Sequence, residues 1–254
     1  MILNSKIIGN QNKVLIILHG LFGSLDNWYS IAKEFALNYQ VHILDQRNHG
    51  RSFHDISHNY MDMTGDLLKY IKHHNLLKPN LLGHSMGGKT AMYFALSHSA
   101  IINKLIVVDI APKKYNNSHL NLINLLLNIN QSVINSRKQV SSFLKHHFID
   151  DQIIQFLLKS LYWVSNTELK FRFNIDSISR SIDDLMDFEF SGSSWGGDSY
   201  FLKAENSDYI LDSDSELIRH FFSNFKLINF HDSGHWVHFD QKTFFLNTIN
   251  NILK

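Results

Sequence analysis

The chain has 254 residues, of which 44% are hydrophobic and 19% charged, and its formal net charge is +1. That profile fits one α/β domain with room for an insertion, and it excludes both a disordered chain and two full enzymes. No basic run is present, so no nucleic-acid partner or acidic membrane surface is indicated. The lack of cysteine excludes disulfides, thiolate metal sites and a cysteine nucleophile.

Near the start, Lys6 is followed only by the short apolar run Val14 to Leu18, too brief for a signal segment or a membrane span. It reads as a buried strand. No other stretch is long and apolar enough to cross a bilayer, so a cytoplasmic protein is expected. The pattern carries no signal for oligomeric state.

Strands are expected at Val14–Leu18, Val41–Leu44, Asn80–Leu82 and Lys104–Val108, with helices around Asn27–Ala36, Met63–His73 and Gly87–Ser97. This alternation describes βαβ units and a mainly parallel sheet. From about Pro112 to Trp195 the pattern changes. Leu120, Ile123 and Leu127, then Phe143 and Leu144, then Ile153, Ile154 and Leu157 recur near helical spacing, with no convincing strand between them. Ser191 to Gly197 reads as a flexible connection back. Strands at Tyr200–Leu202 and Phe225–Phe230 and a helix from about Gln241 to Leu253 close the chain. The expected organisation is a core of residues 1–111 and 196–254, with 112–195 as a helical lid.

Gly83-His84-Ser85-Met86-Gly87 fits Gly-x-Ser-x-Gly between a strand and a helix. At such a turn the serine sits in strained backbone, and small residues two positions away on either side let strand and helix pass closely. The hydroxyl then projects into the cleft, and the next N–H, that of Met86, points at a developing oxyanion. The same stretch also spells a phosphate-loop motif, Gly83 with Gly88-Lys89-Thr90, and Leu105 to Asp109 imitates a magnesium-holding strand. Against a nucleotide hydrolase, a phosphate loop normally follows the first strand, whereas at least two strands come before this one. Lys89 is then read as an exposed residue on the following helix.

Serine is a poor nucleophile without a hydrogen-bonded base, and at this kind of turn the partners follow in the order serine, acid, histidine. Among 16 histidines, His235 is singled out in Asp232-Ser233-Gly234-His235-Trp236-Val237, after the last expected strand. The pairs His231/His235 and His54/His58 have metal-like spacing but no carboxylate third ligand on a credible helix, so no metal is expected. For the acid, Asp109 at a strand end is favoured over Asp208. The usual acid position aligns with Ser207, leaving Asp208 one residue late and its side chain turned away. Ser207 is an expected helper of His235 or Asp109. The second oxyanion donor is expected in His19-Gly20-Leu21-Phe22-Gly23, from the N–H of Leu21 first and Phe22 second.

These segments, with Asp26-Asn27-Trp28, Asp45-Gln46-Arg47-Asn48-His49-Gly50-Arg51-Ser52 and Val108-Asp109-Ile110-Ala111-Pro112, together resemble the YbfF-type esterases of the α/β-hydrolase superfamily. The likeness spans most of the chain and is weakest from Lys113 to Asp198. It implies an α/β-hydrolase fold and hydrolysis of small acyl esters or acyl-CoA thioesters without a cofactor. It also implies Asp109 after a sixth strand as the acid, with a serine where the usual acid stands. Arg47 to Ser52 is read as a structural turn that Asn48 and His49 brace. Other chemistries run on this fold, C–C bond hydrolysis among them, because fold does not settle substrate.

Overall fold

The computed structural model describes residues 1–117, 119–130, 134–192 and 194–254. Residue 193 of the expected connection, and 118 and 131–133 of the expected insertion, lie outside these. Seven strands form one sheet: β1 (Ser5–Ile8), β2 (Val14–Leu18), β3 (Gln40–Leu44), β4 (Asn80–His84), β5 (Leu105–Val108), β8 (Ser199–Ala204) and β9 (Phe225–Phe230). Their order across the sheet is β1-β3-β2-β4-β5-β8-β9, and only the β1–β3 pair is antiparallel. The parallel strands are apolar on both faces because helices cover both. In β2, Ile16 and Leu18 join one core cluster while Leu15 and Ile17 join the other.

On one face lie α1 (Tyr29–Phe35) and α11 (Lys242–Leu253), and on the other α2 (Tyr60–His73) and α3 (Met86–Ser97). The helix expected from Met63 begins three residues earlier, because the Asn59 side chain accepts the Asp62 N–H and caps the first turn. Between β5 and β8 run α4 (Leu120–Asn130), α5 (Arg137–His146), α6 (Asp151–Lys159), α7 (Ile175–Arg180) and α8 (Ile182–Met186). After β8 comes α9 (Ser215–Phe221), and after β9 the single turn α10 (Val237–Asp240).

Three expectations need correction. The segment after Pro112 is not wholly helical: β6 (Leu161–Trp163) and β7 (Leu169–Phe171) form a hairpin. Its strands are only three residues long, too short for a strand pattern to stand out among helical spacings. β1 escapes as well, since an edge strand with two exposed residues leaves no continuous hydrophobic stretch. And the strand before Asp109 is the fifth of this chain, not a sixth, because a single strand, β1, precedes β2. Among the described residues no helix is long and apolar enough to cross a membrane.

Candidate active site

The parallel strands deliver their following loops to one rim of the sheet, where ligands bind in open α/β folds. Ser85 follows β4, Asp109 follows β5, Ser207 lies after β8, His235 lies after β9, and His19–Gly23 follows β2. Ser85 has φ 53° and ψ −120°, a conformation that L-residues adopt only when the surroundings enforce it. The enforcement is steric. A Cβ on Gly83 would lie 2.2 Å from the Gly87 carbonyl oxygen, and one on Gly87 would lie 2.5 Å from that of Leu18. The turn therefore closes only with glycine at both places. Met86 opens α3, so its N–H has no intrahelical acceptor.

Asp109 is fully buried and also left-handed, at φ 49°. Its Oδ2 accepts the His235 Nδ1–H at 2.8 Å and the Ser207 hydroxyl at 2.5 Å, and its Oδ1 accepts the Ala204 N–H at 3.1 Å. With Nδ1 carrying the proton, Nε2 of the neutral ring is an acceptor. The ring stacks on Tyr209 at 4.1 Å between centroids, and the His235 carbonyl accepts the His84 Nε2–H at 2.9 Å. Asp208, one residue beyond Ser207, is exposed. Ser85 and His235 border one cavity of about 300 Å³, shared with Gly20, Leu21 and Tyr209. Its far wall comes from the chain between β5 and β8, through His119, Leu122, Ile153, Phe156 and Leu157.

Two buried histidines shape the loop after β2. The His49 Nε2 accepts the Phe22 N–H at 3.1 Å while its Nδ1–H donates to the Arg47 carbonyl at 3.0 Å. His19 does the same one layer away: Nε2 accepts the Gln46 N–H at 3.1 Å and Nδ1–H donates to the Gly20 carbonyl at 2.8 Å. Each ring acts as acceptor and donor at once, which only neutral imidazole can do. Burial lowers the pKa of both, most strongly for His49. The N–H of Phe22 is thus already committed to His49. Phe22 itself sits at φ 61°, and Gly20 brings the loop against the serine, since a Cβ there would stand 3.2 Å from Ser85 Cβ. The Asp45–Ser52 turn holds this assembly in place, with Asp45 Oδ1 accepting the Leu25 N–H at 2.7 Å.

Sequence reasoning assigned no role to several residues that brace the site. His84 is buried beneath His235, and burial drives its pKa well down, reinforced by His235 and His238. His238 stacks on Trp28 at 4.0 Å, and burial pushes it down to about 3. His84 stands inside the quoted serine motif and His238 directly follows the quoted Val237, so position marked them, but nothing in the sequence distinguishes a braced ring from a reacting one. Tyr209 carries no motif at all.

Lys89 is not the exposed residue the sequence suggested. It is buried because α3, enclosed from Met86 to Ala95, is covered on its outer side by the chain near α8. Its ammonium donates to the carbonyls of Leu185, Met186 and Asp187 at 3.2, 3.0 and 2.8 Å. Thr90 donates to the Met86 carbonyl at 3.1 Å. The phosphate-loop match therefore lacks its free cation, and Asp109, its would-be magnesium ligand, is held by His235. Among the described residues no three His, Asp or Glu side chains gather as a metal set. His231 is exposed and paired with Glu205 at 3.4 Å.

Comparison with known proteins agrees with this architecture. The sequence pattern of the alpha/beta hydrolase fold family matches residues 13–145. A solved structure described as a marine microorganism esterase superposes with a TM-score of 0.95 at 40% identity, covering 99% of each chain. Esterase YbfF of Escherichia coli is 29% identical over 245 residues, spanning 96% of this chain and 94% of that protein. The sn-1-specific diacylglycerol lipase ABHD11 of Mus musculus is 34% identical over 251 residues, spanning 94% and 80%. The chain belongs to the alpha/beta hydrolase fold family. Within that family it is a hydrolase acting on ester bonds.

Proposed function

We propose that the protein cleaves small acyl esters or acyl-CoA thioesters through an acyl-enzyme on Ser85. The observation that carries this reading is the Asp109–His235 hydrogen bond at 2.8 Å beside a cavity that Ser85 shares. His235 Nε2, an acceptor because Nδ1 is protonated, takes the Ser85 proton as the hydroxyl attacks the acyl carbonyl. The N–H groups of Met86 and Leu21 hold the oxyanion, where one lost donor costs about 3 kcal/mol. His235 returns the proton to the leaving alcohol or thiol. Water, activated by the same ring, then releases the acid and restores Ser85.

Asp109 is the acid in this cycle and Ser207 an auxiliary donor to it. The cycle needs no metal or organic cofactor. Residues 112–195 form a lid whose apolar side chains roof the cavity and exclude water from the acyl-enzyme. That the roof carries Leu122, Ile153 and Phe156 supports an apolar substrate.

The test is turnover of a p-nitrophenyl ester and acyl-CoA panel by wild type and Ser85→Ala, with mass-spectrometric mapping of a fluorophosphonate adduct. Labelling at Ser85 and loss of turnover in the variant are expected. Ester turnover undiminished in Ser85→Ala would remove the mechanism.

A further inference from the structure

Ser85 borders two cavities, not one. Besides the large one there is a small one of about 20 Å³, lined further by Met86, Lys89, Ile110, Tyr115, Leu185 and Met186. His235 lines the large cavity and not the small one. Of the two oxyanion donors proposed above, Met86 lines only the small one, while Leu21 lines both. Tyr209 and His119 stand between the two, lining both and joined by a 3.4 Å hydrogen bond.

The chemistry orients a substrate across this divide. When the tetrahedral intermediate collapses, the carbon–oxygen or carbon–sulfur bond breaks and the leaving atom takes the proton that His235 received from Ser85. That atom must therefore lie on the side of His235, in the large cavity. The acyl substituent on the same carbon points the other way. We propose that the small cavity is the acyl subsite, sized for an acetyl group, and that the large cavity receives the alcohol or thiol portion. This rests on the Ser85 acyl-enzyme reading.

The small cavity is held to its size. Its far wall, Leu185 and Met186, belongs to the backbone stretch whose carbonyls accept the three Lys89 N–H bonds, and the Leu185 carbonyl also accepts the Tyr60 hydroxyl at 2.8 Å. Tyr115 is pinned as well: its hydroxyl donates to the Tyr209 carbonyl at 2.6 Å and accepts the Ala111 N–H at 2.8 Å. A volume of about 20 Å³ holds a methyl group but not a chain. Lys89, which itself lines the cavity, limits acyl length together with the wall it tethers.

Substrate series on the full chain separate the two cavities. One series varies the acyl group on p-nitrophenol from acetyl through butyryl to octanoyl; the other holds acetyl and enlarges the alcohol from ethanol to hexanol to 2-naphthol. In wild type, kcat/KM should fall about tenfold or more from acetate to butyrate, the discrimination expected of a pocket that excludes methylenes. It should hold or rise along the alcohol series. Met186→Ala should raise butyrate relative to acetate, whereas Leu122→Ala, on the large cavity, should alter the alcohol ranking instead. Octanoate as the best wild-type substrate, or an acyl ranking moved by Leu122→Ala and not by Met186→Ala, would overturn the assignment. Should Met186→Ala fail to fold, the wild-type acyl ranking decides alone. Loss of turnover in Ser85→Ala together with an octanoate preference would reject only the subsites; turnover surviving in Ser85→Ala would reject the acyl-enzyme itself.

Discussion

Replacing Asp109 by asparagine isolates what its carboxylate contributes. In the native site one oxygen serves two donors, the His235 Nδ1–H and the Ser207 hydroxyl, while the other accepts the Ala204 N–H. Asparagine has one oxygen for these two places. If its oxygen faces Ala204, its amide NH₂ points at His235, donates to Nδ1 and moves the ring proton to Nε2, which can then no longer accept from Ser85. If the oxygen faces His235, the active tautomer survives, but the NH₂ abuts the buried Ala204 N–H. That leaves two donors unpaired, at about 1–3 kcal/mol each. The first arrangement keeps every hydrogen bond, since the Ser207 hydroxyl can turn to accept, so it is the populated one. The residual activity comes from the second, and kcat should fall by about 10²- to 10⁴-fold. Stopped-assay kcat on p-nitrophenyl acetate measures this, with thermal unfolding as the control, because the melting temperature should hardly move. Asp208→Asn, at an exposed side chain, should stay within about twofold of wild type. Asp109→Asn above a tenth of wild-type kcat, with Asp208→Asn inactive, would refute the reasoning.

Ser207→Ala removes a 2.5 Å bond onto the same Asp109 oxygen, and kcat/KM should drop about tenfold, as for one lost hydrogen bond to a charged group. An unchanged rate would remove its helper role. His49→Ala leaves the buried Phe22 N–H without its acceptor. Urea unfolding should show about 1–3 kcal/mol less stability, and kcat should fall about tenfold as Leu21 loses its placement. Acid should destabilise the fold below about pH 6.5, where unfolded histidine protonates while the buried rings stay neutral. Burial pushes His58 and His238 down to about 3, so from pH 6.5 downward the unfolded chain binds more protons and stability is lost as pH falls. At pH 5.5 these two alone should remove about 3 kcal/mol. His49 and His84 shift in the same direction. Urea midpoints at pH 7.5 and 5.5 that coincide would contradict this.

Local patterns sufficed wherever chemistry and backbone geometry are written in neighbouring residues. A glycine two positions on either side of Ser85 is demanded by backbone contacts inside the same turn, so five letters announce it. The parallel strands were legible because burial on both faces leaves an unbroken apolar run, as in Val14–Leu18. That Asp109 and not Asp208 meets His235 was also open to reading, because a one-residue offset in a strand-end loop reverses the side chain.

Only the tertiary structure decided the rest. Lys89 looked exposed because helical spacing says which residues share a face but not what lies over that face, and here the carbonyls of 185–187 do. The neutral state of His49 and His84, the commitment of the Phe22 N–H and the division of the cleft into two unequal cavities arise between segments 20 to 150 residues apart. Burial and hydrogen-bond partnership are properties of what the fold brings alongside, and a side chain's own sequence neighbours do not contain them.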